Sequence, residues 1–175
     1  TKFIDRHNAA LNAGDFTHKL ISGQEIQGGA WKAGSNEATA GNILDGDPGT
    51  YWQPDPDAPL DEWWVEIDLG RATLVTEIRL IFPDEEGARP LREFRVFGTE
   101  GRRVTRQDIF SFHLIGGTTR PIDETEVTYD VTPLVREVTR GRHGDSAAKE
   151  TSAADETYDL LQYIRILVDA KTPDA

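Results

Sequence analysis

The chain has 175 residues, enough for one domain that buries about 70% of its extended surface, so a core needs neither a disulfide nor a metal. It carries 31 acidic against 19 basic residues, a formal net charge of -12, which argues against nucleic acid, whose binding runs on phosphate neutralisation, and against adsorption to anionic membranes. There is no cysteine, which removes thiolate metal sites and cysteine nucleophiles, and no apolar run long enough to span a bilayer.

In chain order, Phe3, Ile4, His7, Ala10 and Leu11 fall at helical spacing, and Gly14-Asp15 would stop such a helix. Residues 1–19 therefore read as a short N-terminal extension, helix or tether. The chain starts at Thr1, holds no methionine and shows no signal-peptide pattern, so it is expected to be a piece of a longer protein. From Leu20 to Ala33, Ile21, Ile26 and Trp31 are isolated anchors among Gly and Gln, which reads as the first strand and a loop. Trp31 suits either a core position or a stacking platform.

The stretch from Gly41 to Gly70 carries three instructions. Asp45-Gly46-Asp47-Pro48-Gly49-Thr50 is a turn rich in oxygen donors. It suits a hard cation such as calcium, and equally a plain surface turn whose aspartates cap backbone amides. Pro54-Asp55-Pro56-Asp57-Ala58-Pro59 fixes φ and removes amide donors, which predicts an exposed, stiff connector. In Trp63 to Gly70 the period-two alternation sets Val65, Ile67 and Leu69 on one face and Glu66 and Asp68 on the other, a half-buried strand. Parity gives Trp63 to the apolar side and Trp64 to the side of Glu66. An outward Trp can serve as a sugar platform or as a lid over the core end.

Leu74 to Phe82 alternates again and predicts a central antiparallel strand; Pro83 to Gly87 is a turn, and Leu91 to Gly98 returns as a strand. Glu100 to Arg106 follows as an arginine-rich loop, fit for a carboxylate or for solvation by nearby acids. Phe110, Phe112 and Leu114 alternate, as do Val127, Tyr129 and Val131, with Gly116 to Pro121 between them as loop. Val135 to Thr139 reads as a helical turn or strand end. Residues 141–157 have almost no apolar content and are expected to be a mobile insertion, before a last strand from Leu160 to Val168.

These residues resemble a known family. Asn42-x-x-Asp45-Gly46-Asp47-x-x-Thr50-x-Trp52, then Trp64 to Gly70, Val75 to Leu80, Phe94 to Thr99 and Tyr163 to Val168, look like a discoidin domain, the coagulation factor 5/8 type C domain. The resemblance implies an all-β jelly-roll antiparallel β-sandwich of the galactose-binding-domain-like type over residues 20–175, with the last family strand expected to be truncated. It implies an extracellular, cell-surface or periplasmic module that binds carbohydrate, lipid headgroups or protein. It also implies a structural calcium at the turn, with Asp45 as side-chain ligand, Asp47 and Thr50 giving oxygens, and a C-terminal acidic residue closing the cage. The missing cysteines depart from animal members and suit bacterial ones.

His7, His18, His113 and His143 are far apart in sequence, and no nucleophile elbow or phosphate-binding glycine loop occurs, so an enzyme is not expected. Two functions remain. The first is a glycan-binding module, with Trp31 and Trp63 for stacking and Arg102, Arg103 and His113 for hydroxyl or carboxylate contacts. The second is a structural or interaction domain that docks onto another subunit or domain of an assembly.

Overall fold

In a computed structural model that describes residues 8–84, 90–101, 112–131 and 160–171, the alternating stretch after Trp63 becomes the longest described strand. In chain order the strands are β1 (Thr17–Lys19), β2 (Glu25–Gln27), β3 (Gly29–Ala33), β4 (Trp64–Leu74), β5 (Glu77–Ile81), β6 (Phe94–Thr99), β7 (His113–Gly117), β8 (Glu126–Asp130) and β9 (Leu160–Val168). Five form one antiparallel sheet, in the order β3-β4-β9-β6-β7; β5-β8 and β1-β2 form two-stranded antiparallel sheets. The last strand thus lies in the middle of the large sheet, between β4 and β6. The chain is an all-β antiparallel sandwich, as the alternation and the resemblance predict.

The inner face of the large sheet is aliphatic and aromatic. Val65, Ile67 and Leu69 of β4, Ile164 and Ile166 of β9, and Phe94 and Val96 of β6 meet Ile78 and Val131 from the side of β5 and β8 in one core. A Cβ on Gly116 would fall 2.3 Å from Cδ1 of Tyr129, so glycine on β7 admits the Tyr129 ring between the two sheets.

Several expectations are corrected. β4 is not half-buried: Glu66 is 2% exposed and Asp68 0%, because both find partners on the polar face. The strand does not stop at Gly70 but continues through a bulge, the residues between Asp68 and Thr73 opposing Gln162 alone between Tyr163 and Leu161. Gly70 takes φ +74 there, and a Cβ would fall 2.7 Å from Cβ of Phe16, so only glycine turns this corner. The predicted strand 74–82 is divided, Leu74 ending β4 and β5 starting at Glu77, and β5 pairs with β8 alone among the described strands rather than lying centrally. Ile115, 7% exposed, faces the core of β7 while Leu114 is 54% exposed, the reverse of the predicted parity. A register irregularity between Val96 and Phe97 accompanies this reversal. Gly116 and Gly117 are strand, not loop. Pro54 is buried rather than exposed. Ala13–Asp15 is itself a 3-10 turn, not the stop of a helix.

The predictions on Phe3, Ile4 and His7, the turn around Glu85 to Gly87, Arg102 and Arg103, Phe110, Val135 to Thr139 and the insertion at 141–157 lie outside the described residues.

Candidate functional site

The outer face of β4 and β9 carries the polar chemistry. At one end Asp68 accepts from three groups: Nε2 of His18 at 2.5 Å, the Gly70 N–H at 2.7 Å, and Nε2 of Gln162 at 3.3 Å. The Tyr163 hydroxyl stands 3.4 Å from the same His18 nitrogen. β1 brings His18 over the sheet, and Arg71 stacks 3.7 Å from the centre of the Phe16 ring, so the N-terminal segment closes this end. Two residues along the strand pair, Arg165 donates through Nε and Nη2 to Oε2 of Glu66, at 2.8 and 2.5 Å. Its guanidinium lies between the rings of Phe112, 4.5 Å away, and Trp64, 5.2 Å away. A buried carboxylate so paired is fully desolvated and therefore intolerant of losing its partner.

The other end is open. A groove of about 500 Å³ lies along β2, β3 and the start of β4, within the size range of small-molecule sites. β2 supplies Glu25 and Gln27, with Gln24 just before it; β3 supplies Trp31 and Lys32; the 3-10 helix Glu37–Leu44 supplies Glu37; β4 supplies Trp64. Trp31 owes its position to a bulge. Ala30 pairs with Ile67 and Lys32 with Glu66, which leaves Trp31 as the extra residue, and such a residue is re-aimed out of the alternation. Its ring reaches across to Tyr163, centroid to centroid 5.9 Å, and the Lys32 ammonium lies 3.9 Å from its ring centre. The Trp31 indole N–H is buried and makes no hydrogen bond among the described residues. Trp64 is half-buried, and a Cβ on Gly34 would fall 2.3 Å from the Glu62 carbonyl oxygen and 2.6 Å from the Trp64 indole nitrogen, so glycine there admits both the backbone and this ring.

Of the residues predicted from sequence for ligand contact, the three described ones, Trp31, Trp63 and His113, are not brought together. Trp31 lines the groove. Trp63 is 6% exposed and donates its indole N–H to the Ala58 carbonyl, so it packs and offers no face for a sugar. His113 is exposed on β7, the opposite edge of the sheet from β3, four strand spacings or roughly 19 Å away. Sequence reasoning did not include Trp64 among the contacts, although parity had turned it outward. Lys32 and Glu37 gave no signal, because their neighbours in the groove come from β2 and β4.

The Asp45–Thr50 turn is closed by its own donors. Asp45 accepts the Asp47 N–H at 2.8 Å and the Thr50 hydroxyl at 2.6 Å, and Asp47 accepts the Gly49 N–H at 2.8 Å. The Thr50 hydroxyl first, then the Asp47 N–H, hold the Asp45 carboxyl below its ordinary range. In kind, these oxygens suit calcium. No group of three or more His, Cys, Asp or Glu side chains among the described residues is placed to hold a metal, so a cage here would draw on backbone carbonyls. Asp169, the acidic residue after β9, is clamped by Arg95 at 2.7 to 3.0 Å.

Comparison with known proteins gives the following. The family described as F5/8 type C domain matches residues 24–136. Among solved structures, the family 89 glycoside hydrolase from Clostridium perfringens in complex with 2-acetamido-1,2-dideoxynojirmycin is similar at a TM-score of 0.47 and 19% identity, over 81% of this chain and 12% of that one. CpGH89CBM32-4, produced by Clostridium perfringens, in complex with glcNAc-alpha-1,4-galactose, is similar at a TM-score of 0.48 and 16% identity, over 85% of this chain and 76% of that one. The chain thus spans 12% of the hydrolase's length. No curated protein matches it.

Proposed function

The chain belongs to the F5/8 type C domain family, and from that membership we propose that it is a non-catalytic carbohydrate-binding module carried by a longer extracellular, cell-surface or periplasmic protein. The observation that supports this reading is the outer-face groove. It joins an indole face, Trp64, to side chains that both donate and accept hydrogen bonds, Gln24, Lys32 and Glu37. A sugar ring presents the matching pair of surfaces, an apolar C–H face for the indole and a rim of hydroxyls that donate and accept. No helix among the described residues is long and apolar enough to cross a membrane.

The test is calorimetric titration of the chain against a glycan panel, with Trp64→Ala, Trp31→Ala and His113→Ala. The reading expects the two tryptophan variants to lose at least about tenfold in affinity, in line with the loss of one stacked ring, and His113→Ala to bind as the parent does. A folded chain that binds no glycan, and that co-purifies with a protein partner from its source, would replace this reading with docking.

Calcium at the turn is part of the proposal, with Asp45, Asp47 and Thr50 as the residues that would hold it. When bound, the ion would add oxygen cross-links to a turn already shaped by hydrogen bonds. The expected result is a thermal midpoint raised by a few degrees in calcium over chelator, with the increment lost in Asp45→Asn.

A further inference from the structure

We propose that the groove selects uncharged glycans and rejects those bearing carboxylates, a deepening that rests on the glycan reading above. Among the described residues, two carboxylates, Glu25 and Glu37, line the groove against one ammonium, Lys32, and all three residues are exposed. That ammonium is drawn over the Trp31 ring, where it is partly engaged by the indole face. The guanidinium of Arg165, 5.2 Å from the Trp64 ring, gives two of its donors to the buried Glu66, so it has its own counter-ion.

The other described ion-paired arginines are similarly engaged away from the groove: Arg79 with Glu126, Arg92 with Asp123, and Arg95 with Asp169. No arginine stands among the described residues that line the groove, so among them a uronate or sialate carboxylate seated on Trp64 would find no bidentate guanidinium of the kind that recognises carboxylates. It would instead meet two like charges within the field of a chain of net charge -12. A neutral sugar incurs none of this repulsion, and its hydroxyls donate to Glu25 and Glu37 while accepting from Lys32 and Gln24.

The experiment titrates the whole chain with a panel of neutral tetrasaccharides and with tetragalacturonate, at low and at moderate salt. The expected result is that the best neutral tetrasaccharide binds tighter than tetragalacturonate by on the order of fivefold, the size of one unscreened like-charge contact in water. The gap narrows as salt is added. It closes in a Glu25→Gln, Glu37→Gln double variant, whose substitutions lie at two exposed positions. Binding of tetragalacturonate as tight as or tighter than the neutral sugars, lost in Trp64→Ala, overturns the selectivity and leaves the glycan reading standing. Binding that survives Trp64→Ala, in a variant that still unfolds cooperatively, overturns the assignment to this groove. A cooperatively folded parent chain that binds no sugar overturns the glycan reading and the inference with it.

Discussion

The two faces of β4 are written in one alternating pattern and both are buried, yet by different means. On the inner face Val65, Ile67 and Leu69 are held by contact with other apolar side chains, a non-directional attraction that grows with area. On the outer face Glu66 and Asp68 are held by named partners, Arg165 and His18, in geometry that admits few substitutes. The first kind of burial tolerates exchange of one apolar side chain for another; the second does not tolerate loss of one member. Where the outer face runs out of such partners, at Trp64, the sheet opens into the groove.

This difference can be broken first on the inner side. Phe94 is fully buried and packs edge-to-face on Phe82 at 5.6 Å. Phe94→Ala is expected to cost about 3 to 5 kcal/mol in denaturant unfolding, through lost burial and the cavity left behind. A cost under about 1 kcal/mol would mean that the core lies elsewhere.

The outer side breaks by less but in a more diagnostic way. Arg165→Met leaves Glu66 without its counter-ion, at an expected cost of about 2 kcal/mol. That is below the figure for a fully buried pair, because the Arg165 side chain is 39% exposed. Adding Glu66→Gln should recover much of the loss, since the orphaned charge is then gone. Additive losses in the double variant would show the pair to be mere surface decoration.

The smallest effect belongs to the exposed turn. Asp45 has a folded pKa lowered chiefly by the Thr50 hydroxyl. Its contribution is therefore present above the unfolded value, about 3.9, and is lost as the pH falls through the lowered folded value. Asp45→Asn should accordingly lose less stability than the parent below about pH 4. Superimposable acid limbs would remove the turn from the account.

The sequence disclosed those elements whose signal is local. Leu160 to Val168 was legible as a strand to the residue, and so was the side on which each of Val65 to Leu69 lies. What it did not disclose depends on distant residues. Glu66 read as solvated because Arg165 stands 99 positions away, and Asp68 because His18 comes 50 positions before it. Gly116 read as loop because the ring that requires it, Tyr129, belongs to another sheet. Of the groove only Trp31 was put forward as a ligand contact, since the bulge that turns it and the outward Trp64 beside it come together only when β3 pairs with β4. The resemblance supplied the fold; it did not locate the groove.

The measurement that bears most directly on the central claim is the set of four tryptophan indole N–H resonances, followed by nitrogen-15 NMR while a neutral tetrasaccharide is added. Trp52 and Trp63 donate to the carbonyls of Ser35 and Ala58, and neither ring lines the groove. The Trp31 and Trp64 signals are expected to shift with saturation while those of Trp52 and Trp63 stay in place. Movement of Trp52 or Trp63 with Trp31 and Trp64 unchanged would contradict it and put the binding surface at another part of the sandwich.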